Sequence, residues 1–141
     1  MKAFLDTSVL VQAFYTHYPH HEPSIDLIRR HEKHEIACGA HNLAETYSVL
    51  TGMPGKDRVS SAEALLYLAD IRDRLTIITL SEQEYFNAIK ASSEMGVAGG
   101  AIYDALIAHC ALKAEAETLY TWNARDFKRL GPPIAARVSM P

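Results

Sequence analysis

Short apolar runs, each too brief for a helix, punctuate this chain and constrain its fold more than any other feature. They are Ala3-Phe4-Leu5, Ile36-Ala37-Cys38, Leu75-Thr76-Ile77-Ile78-Thr79 and Thr118-Leu119-Tyr120-Thr121. Runs of this length without polar alternation are expected of strands covered on both faces. Helical patterns fill the intervals, at 8–14, 21–34, 41–51, 81–95 and 105–112. Leu43, Tyr47 and Leu50 recur at i, i+4 and i+7, and Gly52, Pro54 and Gly55 end that helix. Ser60 with Glu63 and Ser81 with Glu84 have capping-box spacing, the first ahead of an apolar stripe of Leu65, Leu66 and Leu68. Gly96, Gly99 and Gly100 form a joint before the last long helix, and Pro132 and Pro133 lead to an edge strand at 136–139. Strands alternating with helices predict an α/β fold, with a parallel sheet of four to five short strands between two helical layers.

The length of 141 residues fits one domain, 1–141, large enough to fold without a disulfide or metal staple. Two cysteines, Cys38 and Cys110, do not make a disulfide framework. No run approaches the ~20 apolar residues of a membrane span. The opening MKAFLDTSVLVQAF is interrupted by Asp6 and followed by no small-residue cleavage site, so no export signal and a cytoplasmic setting are expected. Fourteen Lys and Arg stand against seventeen Asp and Glu, for a net charge of −3. That balance argues against a protein held on nucleic acid by a broad basic surface, but it leaves room for a small basic rim.

In parallel α/β sheets, ligands sit beyond the carboxyl ends of the strands. Asp6 directly follows the first strand, and Asp126 follows the strand centred on Tyr120 by six residues. Glu45 lies early in the helix after the Ile36 strand, and Asp104 in the first turn after the glycine joint. Acids 39, 59 and 22 residues apart are thereby expected on one rim. Asp104 is the most telling. Its helical neighbours Gly100, Ala101, Ile107 and Ala108 are all small or apolar, which predicts partial burial. A buried carboxylate requires a partner, and no Lys or Arg flanks this one in sequence. A divalent cation would supply the charge. Oxygen-only ligands select a hard ion, Mg²⁺ or Mn²⁺ over zinc, and such ions serve phosphoryl chemistry.

Each acid alone has a plainer reading. Asp6 caps the helix that begins near Ser8, Glu45 closes a box with Asn42, Asp104 favours a helix N-terminus, and Asp126 is solvated beside Arg125 and Lys128. Their joint placement on one rim raises the functional reading.

Four blocks resemble the PIN-domain family in order and spacing: LDTSVLV, HNLAETYSVLTGMP, GGAIYDALIAHCAL and LYTWNARDFKRL. Within that family the chain is most similar to VapC-type toxins of bacterial toxin–antitoxin pairs, over nearly its whole length. The resemblance implies a PIN-like three-layer fold and a Mg²⁺-dependent endoribonuclease, Mn²⁺ being a possible substitute. Asp6, Glu45, Asp104 and Asp126 carry over as the acids, with Asp6 and Asp104 as principal metal ligands. Thr7, Ser8, Thr121 and Asn123 match polar residues that support those carboxylates. Family members often have an acid nearer the Asn123 position, so the division between Asn123 and Asp126 as direct ligand stays open. The implied reaction is in-line attack by metal-activated water, leaving a 3′-hydroxyl and a 5′-phosphate on single-stranded or looped RNA. Arg125, Lys128 and Arg129 are candidate contacts to the RNA backbone, or else a solvated helix face. A small antitoxin and a homodimer are the implied partners, with Tyr15, Tyr18, Tyr47, Leu66 and Tyr67 as contact area or core.

Two other classes compete. An aspartyl-phosphate enzyme would use Asp6 as nucleophile, but needs a well-placed Lys that the strand ends lack. A non-catalytic interaction module would make Asp104 dispensable. Cys38 and His41 have zinc-like spacing, but no second pair follows, and neither a G-x-S-x-G nor a Walker loop is present.

Overall fold

A computed structural model describes all residues, Met1–Pro141. Five parallel strands, β1 (Ala3–Leu5), β2 (Ile36–Gly39), β3 (Thr76–Ile78), β4 (Thr118–Tyr120) and β5 (Val138–Ser139), form one sheet in the order β3-β2-β1-β4-β5. The helices are α1 (Thr7–Phe14), α2 (His21–Arg30), α3 (Ala40–Gly52), α4 (Ser61–Arg74), α5 (Glu82–Glu94), α6 (Ala101–Lys113), α7 (Ala124–Lys128) and α8 (Pro132–Ala135). β1 pairs with β2 and β4, in register Phe4 with Ala37 and Leu119. The first strand to leave the sheet's centre therefore delivers Asp6 to the middle of the carboxyl rim.

Strand periodicity builds the two core layers. Phe4 and Ala37 point to one face and pack with Ile107, Ala108 and Ala111 of α6 and with Phe127, Leu130 and Ile134. Ala3, Leu5, Ile36 and Cys38 point to the other, against Val9 and Leu10 of α1, Leu27 and Ile28 of α2 and Ile71 of α4. The result is the expected α/β/α sandwich. Six of the thirteen residues of α6 are buried, which explains why its sequence has no polar stripe, its charged or imidazole residues being Asp104, His109 and the terminal Lys113. No helix is long and apolar enough to cross a membrane.

Three local expectations are corrected. The buried stripe of α4 is Ala64, Leu68 and Ile71, whereas Leu65 and Leu66 are 66% and 72% exposed. Eight apolar residues crowd this helix, six of them consecutive from Ala64 to Ala69, and periodicity alone cannot fix its rotation. The edge strand shrinks to Val138–Ser139, because Pro132 and Pro133 occupy the first turn of α8, where proline's missing N–H costs nothing. Ser60 caps α4 by accepting from the Glu63 N–H, but without the reciprocal bond of a box; Ser81 and Glu84 make both bonds.

Gly39 ends β2 where α6 passes closest. A Cβ there would lie 3.0 Å from Asn42 Oδ1 and 3.4 Å from Cys110 Sγ, so only glycine leaves the neighbours undisturbed. Its N–H donates to Asn42 Oδ1 at 2.7 Å, turning the Asn42 amide toward the rim.

Candidate active site

Asp6, Glu45 and Asp104 line one cavity of about 360 Å³ beyond the carboxyl ends of the strands, with Thr7, Ser8, Gln12, Trp122 and Asn123. Asp6 is both helix cap and cavity wall. Its Oδ2 accepts from the Ser8 N–H (3.4 Å), Ser8 Oγ (2.8 Å) and Thr121 Oγ1 (2.8 Å). All three bonds fall on the same oxygen. Burial drives the Asp6 carboxyl above its ordinary range, and it outweighs the opposing hydrogen bonds from Thr121 and Ser8. The Trp122 N–H donates to Ser8 Oγ at 3.0 Å and the Asn123 N–H to Thr121 Oγ1 at 2.9 Å, so the hydroxyls that hold Asp6 are themselves held.

Glu45 is reached by a second chain. Asn42 Nδ2 donates to Thr7 Oγ1 at 3.0 Å, and Thr7 donates onward to Glu45 Oε1 at 3.0 Å. Asn42, fully buried, is a residue that sequence reasoning did not single out for this role. The Asn42–Glu45 box is not formed, since Asn42 is committed to Gly39 and Thr7.

Asp104 is half-buried on the first turn of α6. Burial is the largest influence on its carboxyl, followed by repulsion from Asp6, Asp126 and Glu45; only Arg129 opposes them, and the pKa is pushed up to about 6. The other three acids therefore all act on Asp104. Asp126 stands apart from the cavity wall. It pairs loosely with Arg129 at 3.8 Å, while Asn123 lines the cavity. Arg125, Lys128 and Arg129 are exposed on and just after α7.

No three carboxylate, imidazole or thiol groups are drawn into a closed ion cage. The donor set nevertheless suits a hard cation. Mg²⁺ keeps several waters and is usually bound through one or two carboxylates plus substrate phosphates, so an open acidic cavity accommodates it. Zinc chemistry at Cys38 is disfavoured, because burial pushes that thiol up to about 12. Mutual repulsion among the rim acids is unmet by any lysine lining the cavity.

The PIN domain matches residues 3–131. The chain belongs to the PIN-domain family. Ribonuclease VapC40 of Mycobacterium tuberculosis is 39% identical over 114 residues, 81% of each chain. Ribonuclease VapC27 of the same organism is 35% identical over 109 residues, covering 70% of this chain and 77% of its own. Among solved structures, M. tuberculosis VapC20, a Sarcin-Ricin loop cleaving toxin, superposes with a TM-score of 0.70 at 16% identity, covering 89% of this chain and 92% of its own. VapBC2 from Rickettsia felis, bound to a DNA fragment from its promoter, gives 0.68 at 23% identity over 100% and 99%. At those identities the structural likeness establishes a shared PIN fold, and the ribonuclease names rest with the relatives.

Proposed function

We propose that this PIN-domain protein is a divalent-metal-dependent endoribonuclease, the toxin of a toxin–antitoxin pair. One observation carries the reading: Asp6, Glu45 and Asp104 line one cavity with no lysine or arginine on its wall, where burial and the other acids push the Asp104 carboxyl up. A divalent cation bound there would polarise a phosphoryl oxygen, activate a water and offset charge on the leaving oxygen.

The chain's own residues supply the rest. Asp6 is held on the cavity wall by the bonds of Ser8 and Thr121 to its Oδ2. Asp104 binds from the first turn of α6, and its proton must leave for it to do so. Glu45, fixed by Thr7, orients water within the cavity. The fourth position falls to Asn123, on the cavity wall, or to Asp126, in α7 beside Arg129. Arg125, Lys128 and Arg129 steady the RNA backbone beside the acids, with Arg129 close enough to temper the charge on Asp104. Mg²⁺ is the natural ion, with Mn²⁺ as a substitute.

The relatives' names support RNA as substrate, and the VapBC2 assembly of the structural neighbour supports an antitoxin partner. Exposed Leu65 and Leu66 on α4 and Phe86 and Ile89 on α5 offer separate apolar faces for an antitoxin and a second copy of this chain. Both cysteines are free and buried, which suits action in the cytoplasm. An aspartyl-phosphate mechanism at Asp6 is disfavoured because no lysine lines the cavity.

The purified protein should cleave single-stranded RNA with Mg²⁺ or Mn²⁺ and stop on addition of EDTA. Cleavage that persists in chelator would remove the metal from the account. Expression should arrest growth, and co-expression of a small neighbouring protein should relieve the arrest.

A further inference from the structure

Two pairs of stacked rings flank the acidic cavity, and the hydrolytic chemistry uses neither. Trp122, between β4 and α7, lines the cavity. Its indole Nε1 donates to Oγ of fully buried Ser24 at 2.9 Å, and its backbone N–H is held by Ser8. The plane of the indole is thereby fixed. His20 is exposed and lies on it, with ring centroids 3.8 Å apart and planes 12° from parallel. The turn carrying His20 is tied to the cavity wall, because its N–H donates to Gln12 Oε1 at 3.3 Å.

On the other side, His41 stacks on Tyr103 with centroids 5.2 Å apart and planes 10° from parallel. His41 Nε2 lies 3.8 Å from Glu45 Oε1, and Tyr103, 49% exposed, immediately precedes Asp104. The sheet order sets β2, which leads into His41, on one side of β1, and β4, which leads into Trp122, on the other. Two strand spacings, roughly 10 Å, separate these roots.

A chain of net charge −3 whose cavity is lined by acids gains little from a polyanion by general electrostatics. Beyond the backbone contacts of Arg125, Lys128 and Arg129, affinity for single-stranded RNA can come from the bases, which stack on aromatic faces whatever their sequence. We propose that the His20–Trp122 and His41–Tyr103 stacks are platforms for unpaired RNA bases on either side of the phosphate presented to the acids. This rests on the ribonuclease reading and adds to it how the strand is held.

The test uses the full chain with Asp104→Asn, which keeps the substrate intact, and a fluorescein-labelled single-stranded oligoribonucleotide of mixed sequence. His20→Ala and Tyr103→Ala should each weaken binding roughly five- to a hundredfold. His20→Phe and Tyr103→Phe should restore it, because the ring is what matters. The slope of log affinity against log salt should stay unchanged, since no phosphate contact is removed. In the cleaving protein the alanine changes should raise KM with little effect on kcat. Unchanged binding in both alanine variants overturns the proposal, whatever their effect on a protein partner. Equal losses in the alanine and phenylalanine variants overturn it too. Wild-type protein that cleaves no RNA with Mg²⁺ or Mn²⁺ would defeat the underlying ribonuclease reading; cleavage without any effect of the rings would defeat this inference alone.

Discussion

Glu35 and Asp104 are carboxylates at opposite ends of one parallel sheet, and their surroundings drive them in opposite directions. Glu35 sits just before β2, where Lys2, just before β1, reaches it and the Glu32 N–H donates to it; its carboxyl is held down at about 2. Glu84 on α5 is likewise held at about 2 by Lys113 and the Ser81 N–H. Asp104 has no close base and is pushed up to about 6 by burial and by three other acids. Glu35 and Glu84 are each matched by a lysine, while Arg129 is the only base that lowers the Asp104 carboxyl. An acid already matched by a protein cation has little left to offer a ligand, whereas unmet charge remains available to an external one.

The contrast extends to pH. Glu35 is depressed, so its contribution to stability is present above about 4.5 and lost as pH falls toward 2. Asp104 is raised, so it costs stability as pH rises from 3.8 through about 6, and the whole cost is present at pH 7.

The sharpest way to break the contrast is to neutralise one acid at each end. Asp104→Asn or Asp6→Ala should lower RNA cleavage by at least about a hundredfold, while Glu35→Gln leaves the rate unchanged in the same gel assay. Comparable losses from both ends would erase the distinction. Next in size is Thr7→Val, which severs Asn42 from Glu45. Loss of such a supporting bond should weaken Mn²⁺ binding roughly ten- to a hundredfold, read by titration, with the fold intact by circular dichroism. A smaller effect concerns stability. Without divalent ions, Asp104→Asn should stabilise the chain at pH 7 by on the order of 1 kcal/mol, the pKa shift being discounted for solvent screening, and the gain should vanish by pH 4. Urea unfolding at the two pH values would measure it, and a destabilised variant at pH 7 would contradict the sign. The smallest effect belongs to Lys2→Ala, which should lower stability slightly at pH 7 and progressively less as pH falls toward 2.

Much of this was legible in the residues. The strands at Ala3–Leu5 and Ile36–Gly39 were readable because a short wholly apolar run has few other uses, and the strand-end rule then picked the acids. Asp104 declared itself through its apolar helical neighbours. The rotation of α4 was not legible, since Ala64, Leu65, Leu66 and Leu68 allow two faces. Nor was Asn42, whose value lies in bonds to Gly39 and Thr7 that depend on the packing of α3 against α1. Asp126 shows the limit of spacing: the short turn of α7 leaves it beside Arg129, and Asn123 takes the cavity wall. The ring pairs were invisible because His20 and Trp122, or His41 and Tyr103, meet only through the fold.

The most direct test is calorimetric titration of Mn²⁺ into wild type and Asp104→Asn at pH 7 and pH 5. Below about 6 Asp104 holds a proton that the ion must displace, so wild-type affinity should fall from pH 7 to pH 5 with proton release. Asp104→Asn should bind far more weakly and with a shallower pH dependence, Asp6 being the raised carboxyl that remains. Equal affinity in the two proteins at pH 7 would contradict the claim that the rim acids share one cation.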